Sequence, residues 1–142
     1  MTWAYESSTG KLRNAAGALI ATGYAGGNEG KNPEGVNNPA MQDQRGIGPL
    51  PFGPQADGSP NMFTFGEPVE HSQLGPFAIP LIPDPANTMF GRSDFYCHGD
   101  TTPSGNASMG CVIMPLYIRK ILAASADNCI AILNVYTTPE AA

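Results

Sequence analysis

The chain has 142 residues, of which 42% are hydrophobic and only 13% are charged, and its formal net charge at pH 7 is −5. This composition excludes a highly charged disordered chain, and the acidic balance disfavours nucleic-acid binding, which needs a basic surface. No run of about 18 apolar residues occurs, so no membrane-spanning segment and no membrane partner are expected.

The N-terminal part of the chain predicts short strands followed by a long irregular segment. Trp3 and Tyr5 fall on one face of the alternating stretch TWAYE, and ALIATGYAG is a second β-prone run. Both aromatic side chains are interpreted as packing residues. Residues 26–61 show almost no periodicity, and loops of that length are uncommon in compact domains. This segment is either a surface excursion or a flap over a binding cleft.

The C-terminal half predicts further strands and one helix. The stretches GPFAIPLIPDP and SDFYCHG are strand-like, and Pro115 stands at a favourable first position for a helix. The helical side expected to be buried carries Ile118, Ile121, Leu122 and Ser125. CIAILNVY then predicts a closing core strand with Cys129 facing the interior. With 17 glycines and 14 prolines, the chain is expected to be one turn-rich, mainly β domain, 1–142, with one or two short helices.

Two of the cysteines lie in the segment FYCHGDTTPSGNASMGCVIM. The chain has three cysteines, so at least one thiol is unpaired. Cys111 follows Gly110 and precedes the predicted helix, while His98 stands at the end of a predicted strand. An imidazole and a helix N-terminus both stabilise a thiolate, so we expect an ionised sulfur beside His98. The amides of Gly110 and Cys111 are candidate donors to an oxyanion.

Two other interpretations of this segment remain open on spacing alone. Cys111 is a buried structural thiol in the first, with His98 a hydrogen-bonded surface imidazole. In the second, Cys97, His98 and Cys111 bind zinc. Adjacent strand residues point to opposite faces, so Cys97 is expected to face the core rather than join His98 in a metal site. No metal and no cofactor are therefore expected.

The order His-Gly followed by Ser-x-Gly-Cys resembles the signature of bacterial L,D-transpeptidases, in particular the compact Tlde-type effectors of type VI secretion. The similarity spans nearly the whole chain, in the blocks GPLPFG, LGPFAIPLIPDP, FGRSDFYCHGD and NASMGCVIMP. It implies a β-sandwich or partly open barrel. It also implies that Cys111 is the nucleophile and His98 its base, with a backbone carbonyl orienting the imidazole. The residues implied to shape the pocket are Ser108, Met109, Gly110 and Gly99.

The chain departs from the typical pattern at two positions. Many L,D-transpeptidases have an Arg two residues after the cysteine and a His two residues before it, whereas this chain has Ile113 and Met109. The first departure affects substrate handling more than chemistry. The second removes a possible second imidazole.

Three further residues are candidate substrate-binding residues. Arg92 can pair with a substrate carboxylate, or with Asp94 or Asp84 in a salt bridge. Asp100 can contact the substrate amine, although holding the histidine loop through backbone amides is the favoured role. His71 can line the cleft, although a solvated loop position is the favoured interpretation.

The resemblance implies cysteine-dependent peptidoglycan chemistry on tetrapeptide stems. A Cys thioester would form with loss of D-alanine, and water or a D-amino acid would resolve it, giving L,D-carboxypeptidase or exchange activity. The implied protein is an antibacterial effector, made in the bacterial cytoplasm without a signal peptide and acting in the periplasm of a target cell. Its partners would be stem peptides, an immunity protein and a secretion cargo carrier. The alternative is an inactive wall-binding or structural module of the same fold.

Overall fold

The computed structural model describes residues 1–101 and 105–137, which form a mainly β fold with one α-helix in this part of the chain. The predicted fold class is therefore confirmed. The strands are β1 (Trp3–Glu6), β2 (Lys11–Arg13), β3 (Leu19–Thr22), β4 (Tyr24–Ala25), β5 (Asn61–Phe65), β6 (Val69–His71), β7 (Gly75–Pro83), β8 (Tyr96–His98), β9 (Val112–Ile113) and β10 (Cys129–Leu133), and the helix is α1 (Leu116–Ala124).

The strands form one mixed sheet in the order β3-β2-β1-β10-β5-β7-β8-β9-β4, and β6 pairs with β7 outside this path. The sheet does not close into a barrel. Two neighbouring pairs are parallel, β1 with β10 and β8 with β9, and the other pairs are antiparallel. The parallel β8–β9 pair places the end of the His98 strand beside the strand that follows Cys111.

The core includes residues of β1, β10 and β5, and it continues through β7, β8 and β9 to α1. Tyr5 and Ile132 are fully buried partners across the parallel β1–β10 ladder, and Trp3 pairs with Ile130 in the same way. The Trp3 indole donates to Ser125 Oγ and to the Asp127 carbonyl, both at 3.2 Å. The packing interpretation of Trp3 and Tyr5 is confirmed.

The predicted orientation of β10 is wrong. Ile130 and Ile132 are buried, whereas Cys129 is half-buried and its sulfur lies 3.9 Å from Thr64 Oγ1. Alternation permits only one face of the strand to enter the core. The two isoleucines occupy it because they have more apolar surface to remove from water than Cys129 and Ala131.

Helix α1 begins at Leu116, with Pro115 as its N-cap rather than its predicted first residue, and its buried side also differs from the expected one. Ile118, Arg119 and Leu122 are buried, whereas Ile121 is 45% exposed. The helix therefore turns a cation, Arg119, towards the protein interior. Within the described residues, no helix combines the length and apolar character that crossing a membrane requires.

The irregular segment 26–61 has local structure and contributes a buried residue to the core. It contains three short 3-10 turns, Asn28–Gly30, Pro33–Gly35 and Pro39–Met41. Leu50 is fully buried, and its amide donates to the Gly110 carbonyl at 3.0 Å. The segment thus packs against the core and against the loop before Cys111.

Candidate active site

Cys111 and His98 line the same cleft, which has a volume of about 1010 Å³. Strands β8 and β9 pair in parallel, with Cys97 opposite Val112 and His98 opposite Ile113. Side chains alternate along each strand, so Cys97 points away from the cleft and is only 2% exposed in the core. The expected core-facing orientation of Cys97 is confirmed.

The His98 imidazole is held in one tautomer. Nδ1 lies 2.9 Å from the Gly99 carbonyl oxygen, which can only accept, so Nδ1 carries the proton when the ring is neutral. Nε2 then bears a lone pair, and it has no hydrogen-bond partner although it is buried. Burial lowers the pKa of His98 from its ordinary value of 6.5, and the nearby charge of Arg119 lowers it further. His98 is therefore a neutral base at neutral pH.

Cys111 is 9% exposed and holds its sulfur against β8. The Tyr96 amide donates to Sγ at 3.3 Å, and the thiol can donate to the Asp94 carbonyl at 3.9 Å. Burial raises the pKa of the Cys111 thiol to about 11, outweighing the Tyr96 amide and the Arg92 charge, which lower it.

The expectation of an ionised sulfur beside the imidazole is therefore wrong for the free chain. No hydrogen bond joins Cys111 Sγ to His98 Nε2, since Nε2 has no partner. The resting pair is a neutral thiol and a neutral imidazole. Proton transfer between them requires the S–H to turn from the Asp94 carbonyl to Nε2, whereas the Tyr96 amide can keep donating to the sulfur.

Ser108 organises the loop that delivers Cys111. Its Oγ accepts hydrogen bonds from the amides of Gly26 at 2.8 Å and Gly110 at 3.0 Å, and donates to the Cys111 carbonyl at 2.6 Å. Because the Gly110 amide is used in this way, it is not free to stabilise an oxyanion. The Cys111 amide remains the candidate donor.

Two glycines are required by close approach. A Cβ on Gly110, whose φ is +133°, would lie 2.6 Å from Arg92 Nη2 and 2.8 Å from the Phe95 ring. A Cβ on Gly99 would lie 2.9 Å from Arg119 Nη2. The lack of a side chain at both glycines thus leaves room for an arginine guanidinium beside each predicted catalytic residue. Met109 also lines the cleft, and its side chain is exposed.

Arg92 lines the cleft, but its nitrogens are occupied by backbone carbonyls. Nη1 donates to Gln42 and Pro49, and Nη2 donates to Gly48 and, at 3.4 Å, to Met109. In the described part of the chain the sole ion pair joins Arg13 and Glu6, so neither predicted salt bridge of Arg92 forms. These contacts favour a positioning role, in which Arg92 fixes the Gly48–Pro49 backbone and places a positive charge near Cys111.

Asp100 makes the contacts of the loop-holding role. Its carboxylate accepts from the Tyr24 hydroxyl at 2.6 Å and from the amides of Thr101 at 2.8 Å and Gly105 at 3.1 Å. The Tyr24 hydroxyl also accepts from the Ala107 amide. The β8–β9 connection is thus tied to β4 at the rim of the cleft.

His71, at the end of β6, lies in the cleft wall rather than in a solvated loop. Its ring packs edge-on against Tyr96 with centroids 5.2 Å apart. Nδ1 accepts from the amides of Gln73 and Leu74, both at 3.1 Å, so Nε2 carries the proton of the neutral ring. His71 therefore offers the cleft an N–H donor.

Arg119 is a buried residue of the cleft lining that the sequence pattern does not predict. It is buried on α1, and it reaches the cleft between Gly99 and the β7 backbone. The only signal in the sequence is its place directly after Ile118 and three residues before Leu122 on the helix. That spacing predicts a position near the buried stripe but not what the charge contacts.

Residues 1–101 and 105–137 contain no group of three or more His, Cys, Asp or Glu side chains arranged to hold a metal ion. Comparison with family models, curated proteins and solved structures found no match to the chain.

Proposed function

We propose that the protein is a cysteine-dependent peptidoglycan-modifying enzyme that acts on tetrapeptide stems, with Cys111 as nucleophile and His98 as base. The observation that carries this proposal is the buried Nε2 of His98, which has no partner, in the same cleft as the Cys111 thiol. A structural histidine would satisfy both nitrogens, since a buried polar atom without a partner is costly. The resemblance of the His-Gly and Ser-x-Gly-Cys sequences supports the same reaction.

The first half-reaction forms a thioester. His98 Nε2 accepts the proton of Cys111, and Sγ attacks the carbonyl carbon that links the third stem residue to D-alanine. The oxyanion receives a hydrogen bond from the Cys111 amide. His98 then returns the proton to the amine of D-alanine as the C–N bond breaks, and D-alanine leaves.

The second half-reaction releases the enzyme. His98 accepts a proton from water, the oxygen attacks the thioester carbonyl, and the C–S bond breaks as the proton returns to sulfur. The product is the tripeptide stem. The amine of a D-amino acid in place of water gives exchange by the same sequence of proton transfers.

The cleft suits a peptide more than a small rigid ligand. Its volume of about 1010 Å³ is at the upper end of the range for ligand sites. Its lining contains residues of both charges. The positively charged ones are Arg45, Arg92 and Arg119, and the negatively charged ones are Glu29, Asp94 and Asp100. Stem peptides combine carboxylates with a free amine, which matches such a mixed lining.

The test is release of D-alanine from disaccharide tetrapeptides, followed by mass spectrometry. Wild type should convert tetrapeptides to tripeptides, and D-methionine should give exchange products. Cys111→Ala and His98→Ala should each lower the rate by about 10³-fold or more, because they remove the nucleophile or its base. Cys129→Ala is the matched control, since this thiol is half-buried on β10 and does not line the cleft.

The second candidate function is an inactive wall-binding module, and the raised pKa of the Cys111 thiol favours it. Unchanged tetrapeptides after long incubation with wild type, together with retained binding to muropeptides, would support this candidate and contradict the enzyme. The resemblance is the basis for proposing delivery as an antibacterial effector and recognition by an immunity protein. Failure to kill a susceptible strain would contradict both.

A further inference from the structure

Arg119 is a buried cation whose guanidinium is fixed on one side and open on the other. Nε donates to the Met114 carbonyl at 3.0 Å, and Nη1 donates to the carbonyls of Pro76 at 2.8 Å and Phe77 at 2.9 Å. Three carbonyls on two separate segments therefore set its orientation. Its position cannot follow a ligand far, which is the property of a preorganised binding group.

The remaining nitrogen, Nη2, meets no acceptor in the described part of the chain. It packs against Gly99, where a Cβ would lie 2.9 Å away, and the residue lines the cleft beside His98. No carboxylate pairs with Arg119, because the single ion pair found in residues 1–101 and 105–137 joins Arg13 and Glu6. This cleft therefore presents an unpaired positive charge beside the predicted base. A buried charge is costly unless it is paired, so an anionic ligand would stabilise this arginine.

The other two arginines of the cleft differ from Arg119. Arg92 uses both terminal nitrogens on backbone carbonyls, and Arg45 is exposed with Nη2 on the Gly91 carbonyl at 2.9 Å. Arg119 alone among these three combines burial with a free terminal nitrogen. It is thus the cation best placed to contact a bound ligand.

We propose that Arg119 Nη2 binds a carboxylate of the ligand, and, resting on the proposed function, that this carboxylate is the terminal one of the stem peptide. The acidic residues that line the same cleft, Glu29, Asp94 and Asp100, disfavour a multiply charged anion such as phosphate. A single carboxylate meets one free N–H without needing a wider basic surface. The subsite makes Arg119 a specificity-determining residue for stems that end in a free carboxylate.

The test compares N-acetyl-D-alanine with N-acetyl-D-alaninamide, which lacks the negative charge, in titrations followed by NMR. Wild type should bind the carboxylate at least about tenfold more tightly, since a charge-assisted hydrogen bond is lost with the amide. The Arg119 Nε–H signal should move with the carboxylate and not with the amide. Equal affinities, or a stationary Arg119 signal, would overturn the proposal.

Two variants complete the design. Arg119→Gln should bind N-acetyl-D-alanine and N-acetyl-D-alaninamide with about equal affinity. Arg45→Gln removes a positive charge from the same cleft but should retain the preference for the carboxylate. If circular dichroism shows that Arg119→Gln is unfolded, the Arg119 signal of the wild type decides. These titrations involve no turnover, so failure of D-alanine release contradicts the enzyme, whereas the absence of a carboxylate preference in the wild type contradicts the subsite.

Discussion

At His98, hydrogen bonding and burial act on different properties of one ring. The Gly99 carbonyl places the proton on Nδ1, while burial lowers the pKa and keeps Nε2 unprotonated. At Cys111, burial raises the thiol pKa to about 11, so the sulfur is protonated at neutral pH. The two shifts disfavour a thiolate–imidazolium pair at rest and require deprotonation to occur during the reaction.

The pH dependence follows from the direction of the His98 shift. The neutral imidazole is the active form, and burial lowers its pKa below the ordinary 6.5, so more than half of the base is neutral at pH 6.5 and the neutral fraction rises above that pH. D-alanine release should lose rate only as the pH falls through that lowered pKa. NMR titration of His98 should give the same midpoint and the Nδ1–H tautomer. A pH profile of D-alanine release whose acidic midpoint lies above pH 6.5 would contradict this assignment.

At the scale of elements, two segments meet at Ser108, the one after β4 and the one that leads into β9. The Gly26 amide comes from the segment after β4, the Gly110 amide from the loop before β9, and the Cys111 carbonyl from the residue that enters β9. Asp100 and Tyr24 tie the same connection to β4 from the rim. The position of the sulfur relative to β8 therefore depends on a loop held by side-chain hydrogen bonds rather than by the sheet alone.

Ser108→Ala should destabilise the protein by about 1–3 kcal/mol, because it leaves the buried amides of Gly26 and Gly110 without an acceptor. Urea unfolding followed by tryptophan fluorescence measures the change. Ser93→Ala is the matched control, since Ser93 is exposed and its hydroxyl has only a 3.5 Å contact with Asp94. An unchanged urea midpoint for Ser108→Ala would show that the loop is held by other contacts.

At the scale of the molecule, one hydrophobic core extends along the sheet from β1 to the cleft. It includes Tyr5 on β1 and Ile132 on β10, and it continues to Cys97 on β8 and to Phe95, which lines the cleft. Strand β7 connects these parts of the sheet, pairing with β5 on one side and β8 on the other. Ile132 belongs to this core but does not line the cleft, so its truncation tests the core without removing a contact of the site.

Ile132→Ala should cost about 2–5 kcal/mol, because Ile132 is fully buried between β1 and β5 and its truncation leaves a cavity. Ile82→Ala, on β7, should have little effect, because that side chain is 53% exposed. Thermal unfolding measures both. D-alanine release per folded molecule should be unchanged in Ile132→Ala, and a large loss would mean that the core and the cleft are coupled.

Local signals along the chain are enough to predict some features of the fold and of the site. Alternation and turn residues predict a mainly β fold, Pro115 predicts the start of α1, and the strand ending at His98 and the loop entering at Cys111 predict that these two side chains meet at one edge. Each of these depends on residues close together in the chain. Both side chains line one cleft in the structure.

The burial of side chains, their protonation and the partners of charged groups depend on contacts between distant parts of the chain. Alternation in β10 offered two faces, and the parallel pairing with β1 selected Ile130 and Ile132 over Cys129. The carbonyls that occupy Arg92 and orient Arg119 come from distant segments, which no local pattern encodes. The Cys111 pKa likewise depends on desolvation by the whole fold, which is why a sequence that predicts a thiolate folds into a site with a neutral thiol.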